Sequence, residues 1–220
     1  MDLIREKDGA SRRRRFENEE FRKMVSGELY RVDELLNSGL REAKIICEAY
    51  NNRRAADVSA AANMPLLRML FGAVGEGSFI EPPLRVDYGF NTELGRDVYM
   101  NYDTVILDVA PVKIGSFVKF GPGVHIYTAG HPLDPQQRKD KLEYGQPITI
   151  EDNVWVGGRV CVMPGVTIGR NSVIGAGSVV TKSIPPDCVA VGVPCKVVRK
   201  LPTTDGQDQN GNGQDEVKGA

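Results

Sequence analysis

The chain has 220 residues, 41% of them hydrophobic and 26% charged, with a formal charge of −1, a balance that suits one folded domain with a modest appendage. That charge excludes a general polyanion binder, and the four cysteines (Cys47, Cys161, Cys188 and Cys195) show no CxxC spacing that would point to a metal. No stretch reads as a signal peptide or a membrane span, so the expectation is a cytoplasmic protein with reduced thiols, no membrane partner and no nucleic-acid partner.

Residues 1–15 are polar and include the basic run Arg12–Arg15, which cannot bury an apolar face and reads as a disordered, solvated arm. Residues 16–75 then read as a helical cap. Phe21, Met24 and Val25 precede Gly27, after which Leu29, Val32, Leu35, Leu36, Leu40, Ala43, Ile46, Cys47 and Tyr50 recur at helical spacing. Two helices fit this span with a break at Gly39, and a further helix is expected from Ala60 to Leu70, ending near Gly72.

From residue 76 to 201 the pattern changes to a period of six. Ile150, Val156, Val162, Ile168, Ile174 and Val180 are aliphatic anchors, usually followed by a small residue, and Val154, Val160, Val166, Ser172, Ser178 and Ile184 fall four places after them. No helix tolerates Gly157, Gly158, Pro164, Gly165, Gly169, Gly175 and Gly177 in so short a span. Short strands that turn every six residues, each with one anchor pointing inward, describe a solenoid whose coil closes after three segments. Ile114, Phe120 and Ile126 hold the same register upstream, and Leu94, Met100 and Ile106 keep the spacing of six before them. Between Ile126 and Ile150 the anchor positions are taken by Pro132, Arg138 and Tyr144, which cannot fill a narrow core, so an excursion loop is expected over residues 132–147. The tail, residues 202–220, is rich in Gly, Gln, Asn and Asp and reads as disordered.

The chain's two histidines, His125 and His131, are its candidate neutral bases. His125 lies near a corner of the solenoid and reads as a surface residue. His131 sits between Gly130 and Pro132, where the regular repeat stops, and its residues alone leave a structural and a chemical role equally open.

The strings Thr128-Ala-Gly-His-Pro132, Pro147-Ile-Thr-Ile150, Asn153-Val-Trp-Val-Gly157, Pro164-Gly-Val-Thr-Ile-Gly169, Asn171 to Lys182 and Gly192-Val-Pro-Cys195 resemble the maltose, galactoside and nodulation-factor O-acetyltransferases of the hexapeptide-repeat superfamily. The resemblance spans roughly Phe21 to Leu201. It implies a mainly β fold, a left-handed parallel β-helix with an N-terminal α-helical cap, assembled as a homotrimer that uses acetyl-CoA and needs no metal. It makes His131 the general base that takes a proton from the hydroxyl of a sugar or glycoside, with Asn101 beside it as a second catalytic residue.

Carried over position by position, the resemblance implies an acceptor pocket of Asp33, Asp87, Tyr99 and Asn101. It implies cofactor contacts from Gly158, Ala176, Thr181, Lys182, Lys196 and Arg199; Trp155, beside the anchor Val156, is read as lining the cofactor cleft or as packing between subunits, and both readings stay open. Gly158 stands where relatives carry a serine, so only its backbone N–H is available to an oxyanion. Val109 stands where relatives carry an acidic acceptor contact, and Lys196 where they often carry arginine. Two other readings stay open at this point: a non-catalytic β-helix serving assembly or regulation, and an acetyltransferase for a non-sugar acceptor. A zinc carbonic anhydrase on the same scaffold would need three histidine ligands, and the chain has two.

Overall fold

The structure is a computed structural model that describes residues 8–53 and 59–202. The first seven residues of the expected arm, and the expected tail from residue 203 onward, lie outside the described residues.

The period of six is realised as a parallel β-helix with three faces. Face one stacks Ala73–Val74, Thr92–Leu94, Val112–Ile114, Ile148–Ile150 and Thr167–Ile168. Face two stacks Phe79–Ile80, Tyr99–Met100, Lys119–Phe120, Trp155–Val156, Val173–Ile174 and Cys188–Val191, closed by the antiparallel strand Lys196–Lys200. Face three stacks Leu84–Val86, Thr104–Leu107, His125–Tyr127, Cys161–Val162 and Val179–Val180. Anchors sit directly over anchors: Ile114 pairs with Ile150, Phe120 with Val156 and Ile126 with Val162. All are buried, and so are the residues four places on, including Ser172 and Ser178. Those two hydroxyls are satisfied inside the coil, Ser172 donating to Pro185 O at 2.9 Å and Ser178 to Gly175 O at 2.6 Å, so polar residues enter this core without an orphaned hydrogen bond.

Asn153, Asn171 and Asp187 recur at the corner between faces one and two because the turn there needs a positive φ, which these residue types accept. Their side chains also bridge successive coils, Asn153 donating to Asn171 at 3.0 Å and Asn171 to Asp187 at 2.7 Å.

The excursion leaves the coil after Tyr127. It pairs Ala129–Gly130 with Tyr144–Gly145 and carries a short helix, Pro135–Lys139, before rejoining face one at Ile148.

Four helices cover the N-terminal end: α1 (Gly9–Arg15), α2 (Glu19–Ser26), α3 (Glu34–Asn51) and α4 (Ala60–Leu70). α2 stops at Gly27, whose φ of 86° is left-handed, and α4 has the expected bounds.

Two expectations are corrected here. Gly39 does not break a helix, because α3 runs unbroken through it. Its absent side chain instead makes room for the Tyr88 ring, which a Cβ would meet at 3.2 Å. Nor is the basic run a solvated arm at residues 9–15: it forms α1, with Asp8 capping its N-terminus and Arg12 only 2% exposed. The guanidinium is buried because it finds backbone carbonyls inside the cap, at Met69, Leu70 and Tyr88.

Candidate active site

The β-helix has three corners, and the candidate residues divide between two of them. The corner joining faces two and three carries two adjacent rows: Asn101, Gly121, Gly157 and Gly175 stack in successive coils, and beside them Tyr102, Pro122, Gly158 and Ala176. Past the exposed Tyr102 and Pro122, the edge presents no side chain at Gly157, Gly158 or Gly175 and only an exposed methyl at Ala176, so a narrow strip of bare backbone runs along the later coils. Asn101 begins the first row and accepts Tyr102 N–H on its Oδ1 at 2.8 Å. Tyr99 and Trp155 lie beside this edge on the outer side of face two, in register through Lys119. Trp155 is exposed, Tyr99 is half-buried and stacks on Phe79 at 6.4 Å, and Lys196 and Arg199 stand exposed on the outermost strand of the same face.

The opposite corner, joining faces three and one, carries Asp87, then the Thr128–Pro132 segment with His131, then Thr181 and Lys182. His131, Thr181 and Lys182 are exposed. Thr128 anchors the segment: its hydroxyl donates to Leu107 O at 2.7 Å and accepts Ala110 N–H at 2.9 Å. Gly130 lets the Tyr144 ring of the excursion close against the backbone next to His131.

Within one chain the expected acceptor set therefore does not converge. Asp33 and Asp87 lie toward one edge of face three, whereas Tyr99 and Asn101 lie at or beyond the other. Between them the outer side of that face presents Val105, Leu107, His125, Tyr127, Cys161 and Val179, all half-buried. His125 is held in this surface by a hydrogen bond between its Nδ1 and the Tyr127 hydroxyl.

Asp33 and Val109 are both engaged inside the helical cap. Asp33 is the N-cap of α3 and uses both oxygens, one accepting Leu36 N–H at 2.8 Å and the other Asn18 Nδ2 at 2.6 Å. Val109 is buried in the cap's apolar cluster, and the neighbouring Asp108 does not substitute for the missing acid. Asp108 is fully buried, accepting from Tyr88 N at 2.8 Å, Gly89 N at 3.1 Å and Thr92 Oγ1 at 3.0 Å. Burial pushes its carboxyl up to about 7, against the pull of those backbone N–H groups.

Asp87 lines a cleft of about 650 Å³ between α3 and face three, with Lys44, Glu48, Asn51, Asn52 and Arg85 among its other walls. Burial raises the Asp87 carboxyl to about 6; the Lys44 cation opposes the rise and the Glu143 carboxylate adds to it. Glu143 and Lys44 were missing from the residues read off the sequence. Glu143 sits in the excursion, where its backbone pairs in both directions with Tyr30 and its carboxylate accepts the Tyr30 hydroxyl at 2.9 Å. A contact 113 residues apart across a non-repeating loop leaves no periodic trace in the sequence.

Among the described residues no group of His, Cys, Asp and Glu is placed to hold a metal, and no helix is long and apolar enough to cross a membrane.

The family signature of the maltose acetyltransferase hexapeptide capping motif matches residues 23–75, and that of the hexapeptide repeat of succinyl-transferase matches residues 147–182. The galactoside O-acetyltransferase of Escherichia coli is 44% identical over 158 residues, covering 72% of this chain and 77% of its own. The chain belongs to the hexapeptide-repeat O-acetyltransferase family. Two solved structures carry the same architecture. A maltose O-acetyltransferase from Clostridium difficile has a TM-score of 0.82 at 46% identity, covering 84% of this chain and 99% of its own. A hexapeptide-repeat acetyltransferase from Vibrio cholerae, complexed with acetyl coenzyme A, has a TM-score of 0.77 at 35% identity, covering 84% of this chain and 100% of its own. Of the two family signatures, the capping one runs from within α2 through α4, while α1 precedes it.

Proposed function

We propose that this acetyltransferase moves the acetyl group of acetyl-CoA to a hydroxyl of a sugar or glycoside, with His131 as general base, in a homotrimer whose active sites lie between subunits. The observation that carries this reading is the division of the candidate residues between two corners. The base and Asp87 occupy one edge of face three, and Asn101 with the bare strip at Gly158 and Ala176 occupies the other. Packing one subunit's His131 edge against a neighbour's strip would complete a site that a single chain leaves open.

The strip fits a slender thioester arm, since Gly157, Gly158, Gly175 and Ala176 offer backbone where larger side chains would obstruct it. The exposed cations Lys182, Lys196 and Arg199 suit the phosphates of coenzyme A, arginine by its planar fork and lysine as a point charge. In the reaction the acceptor oxygen attacks the thioester carbon while its proton passes to the His131 imidazole. The tetrahedral oxyanion is stabilised by a backbone donor, for which Gly158 N–H is the candidate. The C–S bond then breaks, and the thiolate leaves with the proton that the imidazolium returns.

Asp87, Lys44, Glu48 and Asn52 around the cleft supply several polar atoms for vicinal hydroxyls, and a monohydric alcohol would leave some of them unpaired. Each unpaired buried group costs ~1–3 kcal/mol, so sugars and simple alcohols should differ by about a hundredfold in thiol release from acetyl-CoA. Asn101→Ala should slow the best sugar and narrow its lead over poor ones. A broad sugar panel that gives no release above the water background, from protein that still binds acetyl-CoA, would overturn the sugar assignment.

The raised Asp87 carboxyl adds a pH dependence. Below about 6 it is protonated and loses acceptor capacity toward a sugar hydroxyl, so kcat/KM for the sugar should climb as pH rises through that value. Asp87→Asn should remove this step. An unchanged profile in the variant would exclude Asp87 from sugar binding.

A further inference from the structure

We propose that Arg12 is a positioning residue for the acceptor pocket, acting from α1 on the backbone that follows Asp87; this rests on the reading of Asp87 as an acceptor contact. The Arg12 guanidinium donates to Met69 O and Leu70 O, both at 3.1 Å, and to Tyr88 O at 3.4 Å. Met69 and Leu70 end α4, where unsatisfied carbonyls and the helix dipole both favour a cation. Its Nε faces Glu42 Oε2 at 3.5 Å, and its carbon lies 5.4 Å from the centroid of the Phe90 ring. Glu42 is also held by Arg15 at 2.7 Å, so two arginines of the run converge on one carboxylate of α3.

The Tyr88 and Gly89 peptides are gripped from the other side by Asp108. The same short stretch thus has its carbonyl bonded by a buried cation and its N–H groups bonded by a buried carboxylate. Asp87 is the next residue toward the N-terminus, its own N–H fixed to Ile106 O at 3.1 Å. A stretch whose N–H groups and C=O are bonded on opposite sides by buried side chains cannot tilt without uncovering a polar group, so the direction in which Asp87 leaves face three is set by the pair.

α1 is seated closely enough to transmit this. A Cβ on Gly9 would lie 2.0 Å from Phe71 O, directly after α4, and Phe16 at the end of α1 stacks on Phe90 with centroids 5.2 Å apart. The helix precedes the residues of the capping signature and forms a third side of the clamp, beside α3 and face three.

The test uses the full-length protein with Arg12→Gln and Arg12→Lys. Arg12→Gln should raise the sugar KM by roughly tenfold or more while the acetyl-CoA KM stays within about twofold of wild type. Arg12→Lys keeps the charge beside Glu42 but reaches fewer carbonyls, and should fall between the two. Hydrogen exchange gives a readout independent of any acceptor: the Tyr88 and Gly89 amides should exchange faster in Arg12→Gln while the amides of the distal coils do not. If both Michaelis constants move together with melting temperature, or if exchange at Tyr88 and Gly89 is unchanged, the proposal is overturned. If wild type itself turns over no sugar, the acceptor reading fails, and the exchange result alone decides whether Arg12 holds this backbone.

Discussion

Replacing His131 by alanine should lower turnover by ~10²–10⁴-fold, the range of a positioned general base, with little change in the KM for acetyl-CoA. The side chain is exposed and its removal leaves no cavity in the core, so the loss should come without a loss of fold. What holds the imidazole in place is the backbone around it. Thr128 ties the segment to the coil below, and the Tyr144 ring closes on Gly130 from the excursion. His125 is no substitute, since its ring nitrogen is bonded to Tyr127 within face three. Single-turnover measurement with saturating sugar checks this, and near-normal turnover would remove His131 from the mechanism.

The second large effect is steric. Ala176 is exposed on the strip formed with Gly157, Gly158 and Gly175, and it is the place where a bulky side chain would cover that backbone without touching the core. Ala176→Tyr should weaken acetyl-CoA binding by about a hundredfold or more, because a large ring would occupy the path of the thioester arm and displace contacts made in both ground and transition states. The anchors Ile174 and Val180 stay buried on either side, so the melting temperature without ligand should hold. The stabilisation that acetyl-CoA gives wild type should vanish in the variant. Unimpaired cofactor affinity would show that coenzyme A lies elsewhere.

The β-helix was legible because every coil repeats the same demand: an apolar anchor such as Ile150, Val156 or Phe120 must face a narrow bore, and the regular coils obey this from Leu94 onward. The excursion was legible for the converse reason, since Pro132, Arg138 and Tyr144 break the demand in three successive places. The basic run was misjudged because composition describes what a segment is made of and not what it meets. Arg12 is buried on carbonyls 57 to 76 residues away, a partnership no local pattern announces. Gly39 was misjudged for a related reason: a mid-helix glycine reads as a break unless the ring that needs its space is known, and Tyr88 lies on a distant loop. The candidate site was legible as a set of residues through resemblance, but its division between two corners was not. That division depends on which face each repeat supplies, and this becomes visible only when the strands are assigned to their stacks.

The most direct measurement of a site shared between subunits is to combine the two inactive variants. His131→Ala and Ala176→Tyr chains, each nearly inert alone, are unfolded together, refolded in equal amounts and assayed for sugar-dependent release of thiol from acetyl-CoA. Where His131 of one subunit serves the Ala176 corner of the next, random assembly gives about a quarter of the sites both an intact base and an intact cofactor edge. Activity should return to about a quarter of the wild-type value. A mixed oligomer, verified by mass, that stays as inactive as either parent would contradict the shared site.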